Sequence, residues 1–301
     1  MSQVAHAAAG LERCRLLRPR RLEDAAAMLA ESLGKGERAM ALAGGTDVIV
    51  DRHLLPVDRA TAIDCVIDLT GIADFHAIER RQVDGRSVLR FAGGVTYWDL
   101  RQSRDVGAHL PMLADMARDV GAVQIQTRGT LAGNVASASP AADGVAALLA
   151  LGATLELVSA KGARRVALKD ALLGYRKTAL APGELIGAIE VVVPSAGAKV
   201  FWRKVGTRLA QAISKVALAS VVELDGDVVR SAAFGVASVA ATTHALGGVS
   251  LAVAGASLAS LDHAAVDAAV ANDIRPIDDV RSTGPYRLHV TKALVRQALF
   301  L

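Results

Sequence analysis

A short apolar segment, Met40 to Ala43, runs without a break into Gly44-Gly45-Thr46-Asp47 and then into apolar Val48, Ile49 and Val50. The order strand, glycine loop, helix puts the loop at the carboxyl end of a strand. Paired glycines there let successive backbone N–H groups converge on an anion, because no Cβ blocks close approach and positive φ is free. A diphosphate is the natural guest of such a cradle. An ordinary turn is the other reading, since Gly-Gly recurs at Gly93-Gly94 and Gly247-Gly248. The segment does constrain the fold, because a strand that feeds a helix through a tight loop belongs to a mixed α/β layer.

The rest of the chain extends that pattern. Arg21 to Leu33 reads as a helix with Leu22, Ala25, Ala26, Leu29 and Leu33 on one face, and Cys65 to Leu69 as a second buried strand. Ala77 to Arg81 and Ser87 to Ala92 flank Asp84-Gly85, a hairpin signal. Leu110 to Val120 and Gly144 to Leu151 are helical in pattern, and Thr154 to Val158, Arg164 to Ala167 and Leu185 to Val193 read as strands. Pro194 to Ala198 is small, uncharged and turn-forming, which suits a boundary between domains. Beyond it, Val200 to Val205, Ile213 to Leu224 and Val228 to Val236 form an antiparallel set turning at Asp225-Gly226, followed by helices over Leu261 to Val270 and Tyr286 to Leu299. With 301 residues there is room for two domains, and strands followed by helices make the second one α+β.

A second constellation lies in a long stretch without periodicity, Thr127 to Pro140. It holds Thr127-Arg128-Gly129-Thr130-Leu131-Ala132-Gly133-Asn134 and continues to Ser139-Pro140-Ala141-Ala142-Asp143. Hydroxyl, amide and backbone donors there suit phosphate and sugar oxygens, and the carboxylate can accept from a sugar hydroxyl or a ring N–H. A helix cap beneath a polar loop explains the same residues equally well.

Composition removes several classes. Aromatics are 3% of residues, so the core is built of Ala, Val and Leu, and no stacking platform for nucleic acid is expected. Two cysteines, Cys14 and Cys65, make neither a CxxC pair nor a disulfide framework. A reducing, cytoplasmic setting fits, and a four-thiolate iron–sulfur cluster would have to sit on another chain. The first ten residues lack the features of a signal peptide. Ser231 to Leu261 carries no Asp, Glu, Lys or Arg, but glycines, threonines and a histidine break it, so no membrane span is expected. Net charge is +4, with Arg13, Arg15, Arg18, Arg20 and Arg21 reading as a solvated arm or a patch for an acidic partner. Gly34-Lys35-Gly36-Glu37-Arg38-Ala39 matches a dinucleotide fingerprint in letters but ends a helix instead of following a strand. The seven histidines form no metal-ligand spacing, and no GxSxG elbow occurs.

Taken together, Ala-Gly-Gly-Thr-Asp at 43–47 and Gly-Thr-Leu-Ala-Gly-Asn with Ser-Pro-Ala-Ala-Asp at 129–143 resemble the FAD-binding medium subunit of the molybdenum hydroxylases, the xanthine dehydrogenase and carbon monoxide dehydrogenase family. Gly94-Val95-Thr96, Phe201 to Lys204 and Tyr286-Arg287 add to the likeness. The resemblance implies a two-part, PCMH-type FAD-binding domain over 13–194, split near residue 70, and a small α+β domain over 195–301. Carried over residue by residue, Ala43, Gly44, Gly45, Thr46 and Asp47 would wrap the FAD diphosphate. Thr130, Leu131, Ala132, Gly133 and Asn134 would line the cofactor and Asp143 would accept from it, with Ile186 and Lys204 near later contacts. Two positions depart from the family: Ala132 where it usually has glycine, and Val120 where some relatives place an aromatic over the flavin.

The implied function is an electron relay. Substrate is oxidised at a molybdenum centre on a large subunit, electrons cross [2Fe-2S] clusters on a small one, and FAD on this chain passes them to an acceptor. No catalytic acid, base or nucleophile is expected here, and Thr46-Asp47 in place of a histidine argues for non-covalent FAD. A stand-alone FAD oxidoreductase and a flavin-free interaction scaffold are the alternatives.

Overall fold

The computed structural model describes residues 14–48, 50 and 63–300. Arg13 of the arginine run and Ile49 of the helix after the glycine loop lie outside them. Three sheets carry the fold, and each is built from one of the sequence patterns above.

The first is parallel: β1 (Arg15–Leu17), β2 (Ala39–Leu42) and β3 (Cys65–Asp68), with β3 central. Between β1 and β2, α1 (Leu22–Gly34) packs Ala25, Ala26 and Leu29 onto Cys65 and Ile67. The arginine run is therefore not simply an arm. Leu17 packs into this core, Arg15 ion-pairs with Glu37, and Arg18 reaches Asp68 at 3.0 Å. Basic residues flanking two leucines hide a three-residue strand, too short to show a period.

The second sheet is antiparallel, in the order β4-β5-β10-β6-β7. Its first hairpin joins β4 (Ile78–Val83) to β5 (Arg86–Ala92) through Asp84 and Gly85, both at positive φ (50° and 73°), as a primed two-residue turn requires. Six helices follow: α2 (Tyr97–Gln102), α3 (Arg104–His109), α4 (Pro111–Asp119), α5 (Val123–Gln126), α6 (Leu131–Ser137) and α7 (Asp143–Ala150). The chain returns as β6 (Thr154–Ser159), β7 (Gly162–Ala167), α8 (Leu168–Ala171), the small ribbon β8 (Leu172–Gly174) and β9 (Lys177–Thr178), and finally β10 (Leu185–Val192). Leu89, Phe91, Leu155, Leu157, Ile189 and Val191 point to the helices and form the largest core cluster. Helix α6 overturns the expectation of an aperiodic loop from Thr127 to Pro140. Its seven residues include only Leu131 and Val135 as large apolar side chains, too few to show a stripe in sequence, so the helix is held by its cap and its neighbours.

The third sheet runs β11 (Lys199–Val205), β12 (Val216–Asp225), β13 (Val228–Ala237) and β14 (His244–Ala245), with α9 (Gly247–Val253), α10 (His263–Asp273) and α11 (Gly284–Phe300) after it. Its central strands are buried on both faces. Val216, Leu218, Val222, Phe234 and Val236 pack with the C-terminal helices, while Ala217 and Ala237 meet Ala146 of α7. At Gly235 a Cβ would lie 2.0 Å from Ala146 O, so strand and helix touch backbone to backbone. Double burial accounts for the charge-free run from Ser231. Among the described residues no helix is long and apolar enough to cross a membrane.

Candidate functional site

The two glycine-containing segments, far apart in sequence, meet. They form opposite walls of a cleft of about 500 Å³ between β2 with its following loop and the α2, α5 and α6 region. The joint is close: a Cβ on Gly44 would fall 1.9 Å from Arg128 O, and Gly45 sits at φ +75°. The adjacent glycines thus answer different demands, one for space and one for backbone conformation. Tyr97 N donates to Gly129 O at 3.1 Å, Leu131 N donates to Val95 O at 2.9 Å, and the Ser137 hydroxyl donates to the Asp47 carboxylate.

Ala43, Gly44, Gly45, Thr46, Asp47, Thr130, Ala132, Gly133, Asn134 and Ile186 all line the cleft. Gly133 is not a positive-φ loop glycine. It lies in the first turn of α6, where its N–H donates to Thr130 Oγ1 at 2.9 Å and a Cβ would approach that oxygen to 2.7 Å. Leu131 does not face the cleft, because the cap at Thr130 turns it into the core at 1% exposure. Asp143 and Lys204 do not line it either and form a buried ion pair, Nζ to Oδ2 at 2.6 Å. Burial pushes the Asp143 carboxyl upward, and the Lys204 ammonium and the Ser214 hydroxyl pull it part of the way back.

The arrangement offers acceptors as well as donors. Asn134 Oδ1 and Asp143 Oδ1 are buried and have no hydrogen-bond partner among the described residues. Buried orphan acceptors are rare because each forfeits its hydration, and Asn134, the one of the two that lines the cleft, marks where a ligand N–H or hydroxyl is welcome. The cleft's remaining walls are apolar: Leu29 and Leu33 of α1, Met40, Val120, Ile125 and Leu180.

Several lining residues escaped the sequence reading. Tyr97 is buried against the cleft, and desolvation, with the Asp143 and Asp47 carboxylates adding to it, drives its phenol far above the ordinary range, so it stays protonated. The signal was there in Thr96-x-x-Asp99, a capping box that starts α2. Gly93 and Gly94 do more than turn the chain, since Phe75 fills the space where their Cβ atoms would be, at 2.8 and 2.4 Å. Glu184 also lines the cleft, held by Arg164 through Nε to Oε1 at 2.6 Å and Nη2 to Oε2 at 2.7 Å.

The cleft is two-walled and lined by paired glycines, and a separate sheet-and-helix unit packs behind it. Residues 12–195 match the family described as the FAD binding domain in molybdopterin dehydrogenase, and 202–300 match the CO dehydrogenase flavoprotein C-terminal domain. The chain belongs to this family of FAD-binding subunits of molybdenum-containing oxidoreductases. It is 30% identical over 287 residues to the carbon monoxide dehydrogenase medium chain of Afipia carboxidovorans, covering 94% of each chain. It is 26% identical over 281 residues to the xanthine dehydrogenase FAD-binding subunit of Escherichia coli O157:H7, covering 92% of each. Its structure superposes on a chain of the reconstituted CO dehydrogenase from Oligotropha carboxidovorans with a TM-score of 0.85 at 30% identity, covering 95% of this chain and 96% of that one.

Proposed function

We propose that this chain is the electron-transferring flavoprotein of a complex with a molybdenum-cofactor large subunit and an iron–sulfur small subunit. The observation that carries the reading is the meeting of Gly44-Gly45 and the Thr130 cap in one cleft. Residues 13–194 act as the cofactor-binding domain and 195–301 as the domain packed behind it. The residues fit FAD. Ala43 to Asp47 line the cleft with a loop that Gly44 lets abut the Arg128 carbonyl, and Asn134 brings an orphan acceptor. In this reading backbone N–H groups of residues 44–47 hold the diphosphate, Thr130 to Asn134 face the sugar-like chain, and Val120 with Ile125 shield the ring from water. Ile186 closes the opposite side. Asp143 and Lys204, tied to each other, lie outside the lining of the cleft and brace it from behind. When bound, FAD supplies a ring that takes up electrons and gives them to an external acceptor.

The cofactor is held without a covalent bond, in a cytoplasmic complex. Purified chain should take up one FAD per molecule, and acid precipitation should release the yellow chromophore into the supernatant. Colour retained in the pellet would contradict non-covalent binding, and a folded chain that takes up no FAD would leave only the scaffold reading. FAD-loaded chain alone should keep its flavin oxidised when offered an aldehyde or N-heterocycle, whereas the assembled complex should bleach it. Rapid bleaching by the isolated chain would favour a self-sufficient enzyme.

A further inference from the structure

The wall of the cleft that carries Val120 is held from outside the cleft. Helix α4 ends at Asp119, the chain bends through Val120 and Gly121 (φ +55°), and α5 begins at Val123. Gly121 leaves no slack, because a Cβ there would sit 2.7 Å from that of Ile125. Three side chains fasten this bend. Gln126, buried, donates from Nε2 to Val120 O at 2.9 Å and to Arg118 O at 3.2 Å. Lys204 Nζ donates to Asp119 O at 2.8 Å, and Trp202 Nε1 donates to Asp119 Oδ2 at 2.8 Å.

Two of the three come from the third sheet. Trp202 and Lys204 are two apart on β11, so the strand period puts both on the face that meets the end of α4. Packing between the two units runs through Ala146, Ala217 and Ala237, and the Trp202 ring packs against this cluster. The bonds from Trp202 and Lys204 end instead on the one bend whose next residue, Val120, lines the cleft. A partly buried indole N–H that finds a carboxylate is both satisfied and directional.

We propose that Trp202 is a positioning residue: by holding Asp119, it lets the third sheet fix the apolar wall against which the flavin ring lies. The assignment rests on the FAD reading above and gives the C-terminal unit a part in shaping the cofactor site. In this view removing the indole donor lets the Val120 bend drift, so the ring is gripped less firmly and its surroundings become wetter.

The test uses the full chain with FAD titrated into the wild type, Trp202→Phe, Asp119→Leu and Asp119→Asn, reading affinity, the visible absorbance and fluorescence of bound flavin, and thermal unfolding of the apoprotein. Trp202→Phe and Asp119→Leu should each weaken FAD by about tenfold, the worth of one charge-assisted hydrogen bond, and shift the flavin spectrum towards that of FAD in water. Asp119→Asn keeps an oxygen acceptor and should stay within about twofold of wild type with an unchanged spectrum. If Trp202→Phe does not fold, the Asp119 pair carries the comparison. Wild-type affinity and spectrum in Trp202→Phe or Asp119→Leu would overturn the proposal, as would an Asp119→Asn variant as impaired as Asp119→Leu. A wild-type chain that takes up no FAD would instead overturn the cofactor assignment and this inference with it.

Discussion

Gly44 and Gly45 stand side by side and fail differently when changed. Alanine at Gly44 drives a Cβ into the Arg128 carbonyl, a backbone atom that cannot rotate away. Overpacking of this kind costs about 1–3 kcal/mol, and it pries apart the two walls of the cleft. Gly44→Ala should therefore lower both the urea midpoint and FAD affinity, whereas Gly45→Ala, burdened mainly by its φ of +75°, should lose about 1 kcal/mol and keep most of its binding. A second residue-scale expectation concerns acid. The Arg164 guanidinium lowers the Glu184 carboxyl below its ordinary value, burial opposes this, and the Ala181 N–H lowers it further. A depressed carboxylate contributes stability above its unfolded value of about 4.3 and loses it as pH falls through the folded value. Glu184→Gln should cost about 1 kcal/mol near neutrality, discounted for the half-exposed Arg164, and the gap to wild type should close in denaturation curves below about pH 4. At this scale the sequence was informative about type but not orientation. Gly44, Gly45, Thr130 and Asn134 were legible as residues of one site and meet in the cleft, whereas Leu131 lies in the core, because residue order alone cannot tell which side of a short helix faces a cleft.

Helix α6 depends on one hydroxyl. Thr130 is its N-cap, accepting from Gly133 N, and the same residue pairs with Thr96 in an isolated bridge that joins the start of α6 to the start of α2. Thr130→Ala should destabilise the protein by about 1 kcal/mol and weaken FAD, because the cap and the cleft wall are the same residue. Thr130→Ser should restore both in thermal melts and titrations. Long amphipathic elements such as α1, and the hairpin at Asp84-Gly85, were legible because many residues vote for one period. Helices of seven residues or fewer were not: α2, α3, α6 and α9 are too short for a stripe, and only α2, α3 and α6 carry a side-chain cap as a local signal. The strand β1 was obscured for the same reason, being three residues long with arginines around its two leucines.

At the level of the whole molecule, the chain is two packed units whose junction sets Gly235 and three alanines, Ala146, Ala217 and Ala237, beside Trp202. Gly235→Ala puts a Cβ against Ala146 O, and neither β13 nor α7 has a flexible neighbour to yield. The loss should exceed 2 kcal/mol, near the upper end of overpacking costs, and a differential scan should show the cooperative transition broadening or splitting as the units uncouple. A turn-rich stretch between β10 and β11 was readable at Pro194 to Ala198. The intimacy of the junction was not, since an alanine-rich strand looks the same whether it meets solvent, lipid or another helix. Strand order carries one more consequence. Strand β10 lies between β5 and β6, pairing Ala188 with Ala92 on one side and Ile186 with Leu157 on the other. During synthesis the hairpins β4-β5 and β6-β7 emerge first and wait with bare inner edges for a strand made much later. Such long-range closure is slow and leaves edges open to foreign strands. Chains stalled on the ribosome should stay cleavable by protease in both hairpins until Val192 has cleared the exit tunnel, and until then they are clients for a chaperone.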